Sequence, residues 1–415
     1  MKKFFCFPFF FAVVQFSFAQ LTDYPLYVRV PDFVDTASNV IEYGNEDGKL
    51  DKLFGTFTSF VTKGKGRYNI VHFGGSHLQA AIYTEQLKQR LNEQFYGIVR
   101  SVGYVFPFKI AKTNHPVYYR SRYTGHWTYC KNVKKKKDCR LGVGGISAVT
   151  TDSVATVTIY PVMNPEVFRF DMVSLLYDVP DSVTYSVRIN GEERVLDGSG
   201  VLRLRFDDLQ DSLVFALKKE DSTAGFFRLY GFVLDKSGAG IMYSSIGING
   251  AATYSFLKCE RFEQDLKELM PDLVILSLGT NDGYGKGYSD NIYYANIDSL
   301  VERIRMVNPD CQILLTVPND DYYKRRYPNR NTARQESTIL KIAKDKDFMV
   351  WDLYKIMGGY GSSMTWYRAG LMKYDRIHFT PQGYRLKGDL FFAAFMKGYE
   401  NYLKESVKLT LNGKY

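Results

Sequence analysis

The chain has 415 residues, 45 % of them hydrophobic and 24 % charged, with a formal net charge of +10. The length exceeds what one core usually holds, so two domains are expected, one set inside the other. The basic excess suits an anionic polymer such as a cell wall, or serves solubility alone. Aromatic residues make up 16 %, including 32 tyrosines, and exposed rings suit sugar stacking, although most belong to core and strands.

The chain opens Met1-Lys-Lys, follows with a Phe-rich apolar run, and reaches small residues at Ser17 and Ala19 before Gln20. This predicts a secretory signal peptide over 1–19, cut after Ala19, and hence an exported protein in the periplasm or outside the cell. An uncleaved anchor is the weaker reading, because the run falls short of the ~20 residues a spanning helix needs. Cys6 lies inside the apolar run and offers no lipoprotein start. Loss of Lys2 and Lys3 with the signal leaves +8.

Residues 68–74 predict a buried strand, and Leu78, Ala81, Ile82, Leu87, Leu91 and Phe95 fall at helical spacing up to Tyr96. Between about 100 and 240 the period changes to two. Strands are expected at 155–160, 168–173, 183–188, 202–206 and 213–217, with turns at Asn190-Gly191 and Gly198–Gly200. This reads as an all-β, jelly-roll-like sandwich over 101–240. Alternation of helix and strand then resumes: a helix at about 260–270, a strand at 273–278, a helix at 291–307, a strand at 312–317, a helix at 331–345, a strand at 348–352 and a closing helix from Pro381 to about Leu403. The segments 20–100 and 241–415 therefore predict one discontinuous α/β domain, a parallel sheet with helices on both faces.

Export permits disulfides, and Cys130 and Cys139 are expected to bridge a short loop that presents lysines. Cys259 and Cys311, at the edges of apolar segments, read as buried thiols. No C-x-x-C pattern is present, and His115 and His126 lack carboxylate or thiol partners at ligand spacing, so no metal or other cofactor is expected.

Serine needs a base to take its proton and fixed donors for the charge that forms on a carbonyl oxygen. Ser76 follows Gly74-Gly75 where the strand gives way to a helix, whose amino terminus favours a developing anion. Asp375-Arg-Ile-His378 places a carboxylate and an imidazole three residues apart, close enough for Asp375 to orient the ring toward Ser76. Gly279-Thr-Asn-Asp282 closes a buried strand, and Gly247-Ile-Asn-Gly-Ala251 follows the β module. The Ser76 and Gly250 N–H groups and the Asn281 amide are the expected oxyanion donors. Any one element alone reads more readily as a tight turn.

The four blocks in this order, G-x-S, a Gly block, G-x-N-D and D-x-x-H-F-T-x-x-G-Y, resemble the SGNH (GDSL-like) hydrolase superfamily over about 40–100 and 241–405. The resemblance implies a flavodoxin-like three-layer α/β fold and a serine ester hydrolase, with Ser76, Asp375 and His378 as triad. Many relatives read Gly-Asp-Ser where this chain has Gly74-Gly75-Ser76. The β module between the first two blocks, the Ser76-His77 pair and the segment Gly358–Trp366 are similar in layout to peptidoglycan O-acetylesterases with an inserted carbohydrate-binding-like sandwich.

His77 and Trp366 are supporting candidates. His77 would shape the site or stack in the first helical turn, and Trp366 with Tyr367 would rim the cleft. Trp127 reads as strand packing before sugar platform, and His72 as a satisfied core histidine. The expected activity is removal of short O-acyl groups from a carbohydrate polymer, peptidoglycan first. The rivals are an acetyltransferase using the same triad, an esterase of xylan or another polysaccharide, and a polysaccharide-binding protein without turnover. The partner is a glycan; neither nucleic acid nor stable membrane insertion is expected, and composition assigns no oligomeric state.

Overall fold

A computed structural model describes residues 30–411 apart from 45–47, 136–138, 197 and 286, so the expected signal peptide and part of the lysine run lie outside the described residues. A seven-stranded sheet forms the base. Its order is Ile41–Glu42, Met349–Asp352, Gln312–Val317, Leu273–Ser277, Arg67–Gly74, Gly240–Gly247 and Val99–Ser101. All pairings are parallel except that of the Ile41–Glu42 edge. From the Arg67–Gly74 strand the chain builds first to one side and then, at Leu273–Ser277, to the other. With the edge strands Ile41–Glu42 and Val99–Ser101 set aside, this is the flavodoxin-like order, and ligands in such sheets sit beyond the strand ends where the order reverses.

Side chains alternate across the sheet. Tyr68, Ile70, Ile275, Leu314 and Trp351 pack with Phe54, Phe57, Leu91, Phe391 and Phe395 from the helices Asp51–Lys63, Ile82–Gln94 and Pro381–Leu411. Val71, Phe73, Val274, Leu276 and Leu315 face the other way, against Phe262, Ile297, Leu300, Ile304, Ile339 and Ile342. Three layers result.

The strands between Gly103 and Asp235 form two antiparallel sheets of their own. One holds Glu192–Leu196, Tyr185–Ile189, Leu213–Lys219, Val154–Pro161 and Tyr119–Thr124; the other is led by Gly200–Gln210, Phe170–Asp178 and Phe227–Asp235. They meet face to face through Phe215, which lies 5.7 Å from Phe227 and 5.6 Å from Phe232, ring to ring. The sandwich docks on the parallel sheet through Tyr104, whose hydroxyl donates to the Tyr230 carbonyl (2.7 Å) and whose N–H donates to Ser244 (3.2 Å).

Two helices depart from expectation. The stretch 78–96 is broken: a single turn, Ser76–Gln79, ends before Ala81, which adopts φ 56°, and the Ile82–Gln94 helix starts afresh. Tertiary contacts override local periodicity here, because the Ala80 carbonyl accepts the Val117 N–H and the Gln79 side chain is held by Thr113 and Asn114. The helix expected at 260–270 is only Phe262–Leu266, and a separate short helix, Thr253–Leu257, precedes it. Cys130 and Cys139 form a disulfide, while Cys259 and Cys311 are buried thiols outside it.

Candidate active site

The Arg67–Gly74 strand turns into the Ser76–Gln79 turn with almost no spacer. A Cβ on Gly74 would stand 2.9 Å from that of Leu78, so only glycine lets the chain turn so tightly. Ser76 is thereby set at the carboxyl edge of the sheet. With only one helical turn behind it, its help to an anion comes from local N–H groups, not from the dipole of a long helix as the sequence suggested.

Across the cleft, the turn before the Pro381–Leu411 helix carries the other two groups. The Ser76 hydroxyl lies 2.8 Å from His378 Nε2, and His378 Nδ1 lies 2.9 Å from Asp375 Oδ2. Asp375 Oδ1 accepts the backbone N–H groups of Ile377 (2.9 Å) and His378 (3.0 Å). Partial burial alone would raise the Asp375 carboxyl, but the hydrogen bonds from the His378 ring and the two N–H groups outweigh it. They hold the group well below the usual carboxylate range. A carboxylate that is ionised near neutral pH thus faces one nitrogen of the ring while the hydroxyl faces the other.

Ser76 and His378 share an open cleft of about 610 Å³ with Asn249, Gly250, Thr280, Asn281, Tyr284 and Lys373. Gly250, at φ 84°, follows the Gly240–Gly247 strand, and Asn281 follows Leu273–Ser277, so three neighbouring strand ends supply the site. The Asn281 amide donates to the Ala251 carbonyl at 2.9 Å, which fixes its plane. A Cβ at Gly75 would come within 3.1 Å of that amide, so glycine at this position lets Asn281 approach. Asp282, next in the chain, points away from the cleft and accepts both the N–H and the hydroxyl of Thr253. It ties the two loops together, and burial raises its carboxyl to about 6.

Gln79 is a positioning residue that sequence reasoning missed. Its Oε1 accepts the Asn249 N–H (2.6 Å), and its amide donates to Thr113 Oγ1 (3.0 Å) and the Asn114 carbonyl (2.7 Å). It clamps the Gly250 loop to the serine turn. The available signal was a polar residue, three after the serine, inside an otherwise apolar pattern.

His77 sits behind the triad. Its ring stacks on His378 at 5.1 Å, and its Nδ1 meets the Tyr384 hydroxyl at 3.0 Å. Burial first, then Lys387 and His378, hold His77 well below the usual imidazole range, so it is neutral. Trp366 is not at the rim: the segment expected as a loop forms a helix, Ser362–Arg368. The indole is fully buried against Phe33 and Phe379, donating to the Met357 carbonyl at 3.1 Å. Its apolar surface gains more from that enclosure than from a wet cleft. Tyr367, half-buried, contacts Tyr374 and Arg376 beside the triad turn.

Trp127 packs against Phe227 and donates to the Thr124 carbonyl, as strand packing requires. His72 is fully buried between the Tyr243 hydroxyl (2.8 Å) and the Ser277 hydroxyl (2.6 Å). His115 meets Ser121 at 2.8 Å, and the His126 N–H donates to Asp152. Among the described residues no three His, Cys, Asp or Glu side chains converge to hold a metal.

Residues 211–386 match the GDSL-like Lipase/Acylhydrolase family. Over that span the chain carries a GDSL-like acylhydrolase domain. The matched span holds Gly250, Asn281, Asp375 and His378; Ser76 lies outside it because the β sandwich intervenes. The fold is similar to a solved peptidoglycan O-acetylesterase at 21 % identity, covering 89 % of this chain and 99 % of that one with a TM-score of 0.69. Shorter likenesses include a GDSL-like lipase from Bacteroides thetaiotaomicron (26 % identity, 38 % of this chain and 76 % of that one, TM-score 0.30). An acetyl xylan esterase is similar at 20 % identity (37 % and 80 %, TM-score 0.29). No curated protein matches the chain.

Proposed function

We propose that this esterase removes acetyl or other short acyl groups from hydroxyls of a carbohydrate polymer, peptidoglycan first, outside the cytoplasm. The observation that carries the reading is the hydrogen-bonded line from Ser76 through His378 to Asp375, opening on a cleft shared with Gly250 and Asn281. Ser76 Oγ attacks the ester carbonyl as His378 Nε2 takes its proton. The oxyanion is received by the Ser76 and Gly250 N–H groups and the Asn281 amide. The sugar oxygen departs with the proton returned by His378, leaving an acyl-serine. Water, activated by the same imidazole, releases the carboxylic acid and restores Ser76.

Two features support the choice of substrate. The fold likeness to a peptidoglycan O-acetylesterase covers 89 % of this chain, so it takes in both the α/β layers and the sandwich described above, and the open cleft admits a polymer. Export is supported by the first nineteen residues and by the Cys130–Cys139 disulfide, a bond at home in oxidising compartments. No helix among the described residues is long and apolar enough to cross a membrane. The test is acetate release from O-acetylated peptidoglycan, acetylated xylan and a small acetyl ester by wild type and Ser76→Ala. Release that vanishes in the variant and is fastest on peptidoglycan supports the reading; release from every ester by Ser76→Ala at the wild-type rate overturns the triad.

A further inference from the structure

One wall of the cleft continues into a short hairpin, Tyr322–Tyr323 paired with Tyr327–Pro328, that the proposed chemistry does not use. Its tip is a tight turn closed by the Arg326 N–H on the Tyr323 carbonyl (3.1 Å), with Lys324 at φ 52° and Arg325 at φ 59°. Two successive left-handed positions suit Asn-Gly, and Lys-Arg in their place is strained. The strained turn is held from two sides. The Lys324 N–H donates to the hydroxyl of Tyr284, a cleft residue, at 3.1 Å. Arg376, inside the Asp375–His378 turn, donates to the Arg325 carbonyl, and its own carbonyl accepts the Tyr322 N–H.

The consequence is a fixed surface beside the triad. The rings of Tyr284 and Tyr323 meet edge to face at 5.3 Å. Lys324, Arg325 and Arg326 are exposed on the hairpin, and exposed Lys373 lines the cleft itself. None of these four cations pairs with a carboxylate among the described residues; Lys324 and Arg325 lie over the Tyr323 and Tyr374 rings. Rings that stack on sugar faces, interleaved with unneutralised cations, match a carboxylate-bearing glycan.

We propose that the Tyr322–Pro328 hairpin, with Tyr284 and Lys373, is a subsite that docks an anionic, carboxylate-bearing glycan and feeds its acylated hydroxyl to Ser76. This rests on the esterase reading for the identity of the polymer, but not for the binding itself. The probes are O-acetylated peptidoglycan sacculi and the same sacculi with their carboxylates amidated. Co-sedimentation is measured against NaCl concentration with the full chain in the Ser76→Ala background, so that turnover does not alter the probe. The combined variant Lys324→Gln, Arg325→Gln, Arg326→Gln is expected to bind native sacculi roughly ten-fold more weakly at low salt, with a flatter salt dependence. Lys373→Gln, on a separate element, should weaken binding by a smaller factor in the same direction. In the catalytically intact chain the triple variant should lose acetate release through KM rather than kcat.

Amidated sacculi bound as tightly as native ones, or a triple variant indistinguishable from wild type in salt titration, overturns the subsite. Charge-dependent binding by a chain that hydrolyses no ester sinks the esterase reading and leaves the subsite standing. Thermal unfolding of each variant, with Lys324→Arg as the charge-conserving control, separates lost binding from lost folding.

Discussion

The inserted sandwich and the parallel sheet bury different things. Between its two sheets the sandwich packs Val157, Ile159, Leu213, Phe215, Phe227 and Phe232. Beneath the cleft, the parallel sheet encloses His72, bonded to Tyr243 and Ser277, with Thr316 donating to Ser277 at 2.8 Å and buried Lys387 over the Tyr83 ring. Apolar burial is non-directional and tolerates many sequences, whereas a buried polar group must find its partner in one geometry. The sandwich therefore has a core that fixes a shape, and the sheet has one that fixes a site.

The strongest way to sharpen this contrast is to disturb a single hydrogen bond in the site. In Asp375→Asn the side-chain oxygen would stay with the Ile377 and His378 N–H groups, so the amide NH₂ would face His378 Nδ1. The ring then carries its proton on Nε2 and cannot accept one from Ser76. We expect kcat to fall by about 10⁴ with folding and KM little changed; steady-state kinetics on a small acetyl ester checks it. A drop below ten-fold would mean that the carboxylate does not set the tautomer.

Phe215→Ala probes the other region. The ring is fully buried against Phe227 and Phe232, and its removal should cost about 3–5 kcal/mol of stability. Ser76, Asp375, His378, Gly250 and Asn281 all lie outside the sandwich, so kcat per folded molecule should persist under the proposed mechanism. Thermal unfolding and kinetics on the same sample decide it. A proportionate loss of kcat at temperatures where the protein stays folded would break the division between shape and site.

The same division explains what could be read from the sequence. The strands and helices from 273 to 352 were legible because each is a long run with one period, and the meeting of Ser76, His378 and Asp375 was legible because these residues stand in short motifs. The Gly240–Gly247 strand was not read, although it carries the Gly250 loop, because it follows the β module without a break in pattern. Ala81 was placed in a continuous helix since nothing local shows that Val117 and Asn249 claim the neighbouring groups. Trp366 was misplaced for a related reason. Gly358-Gly-Tyr-Gly reads as loop, but the helix after it turns its indole inward onto Phe33 and Phe379, partners far apart in the chain. Gln79 and the Lys324-Arg325 turn depend likewise on long-range contacts.

The smallest expected effect concerns the charge buried in the site region. Lys387 is 5 % exposed, its ammonium 4.3 Å from the Tyr83 ring centre, and burial lowers its pKa to about 7. In the unfolded chain a lysine keeps its proton until about pH 10.4. Between these values the folded protein binds fewer protons than the unfolded one, so this group makes stability rise as pH goes from about 7 to about 10. Below pH 7 both states are protonated and the penalty of burying the charge is fully present, offset in part by the aromatic ring. Lys387→Met should therefore stabilise the protein by about 1–3 kcal/mol at pH 7, with the gain shrinking toward pH 10. Denaturant unfolding of both proteins across that range checks it. A variant less stable than wild type at pH 7 would show that the ammonium contributes more through Tyr83 and its surroundings than its burial costs. The polar core beneath the cleft would then hold itself together by charge as well as by hydrogen bonds.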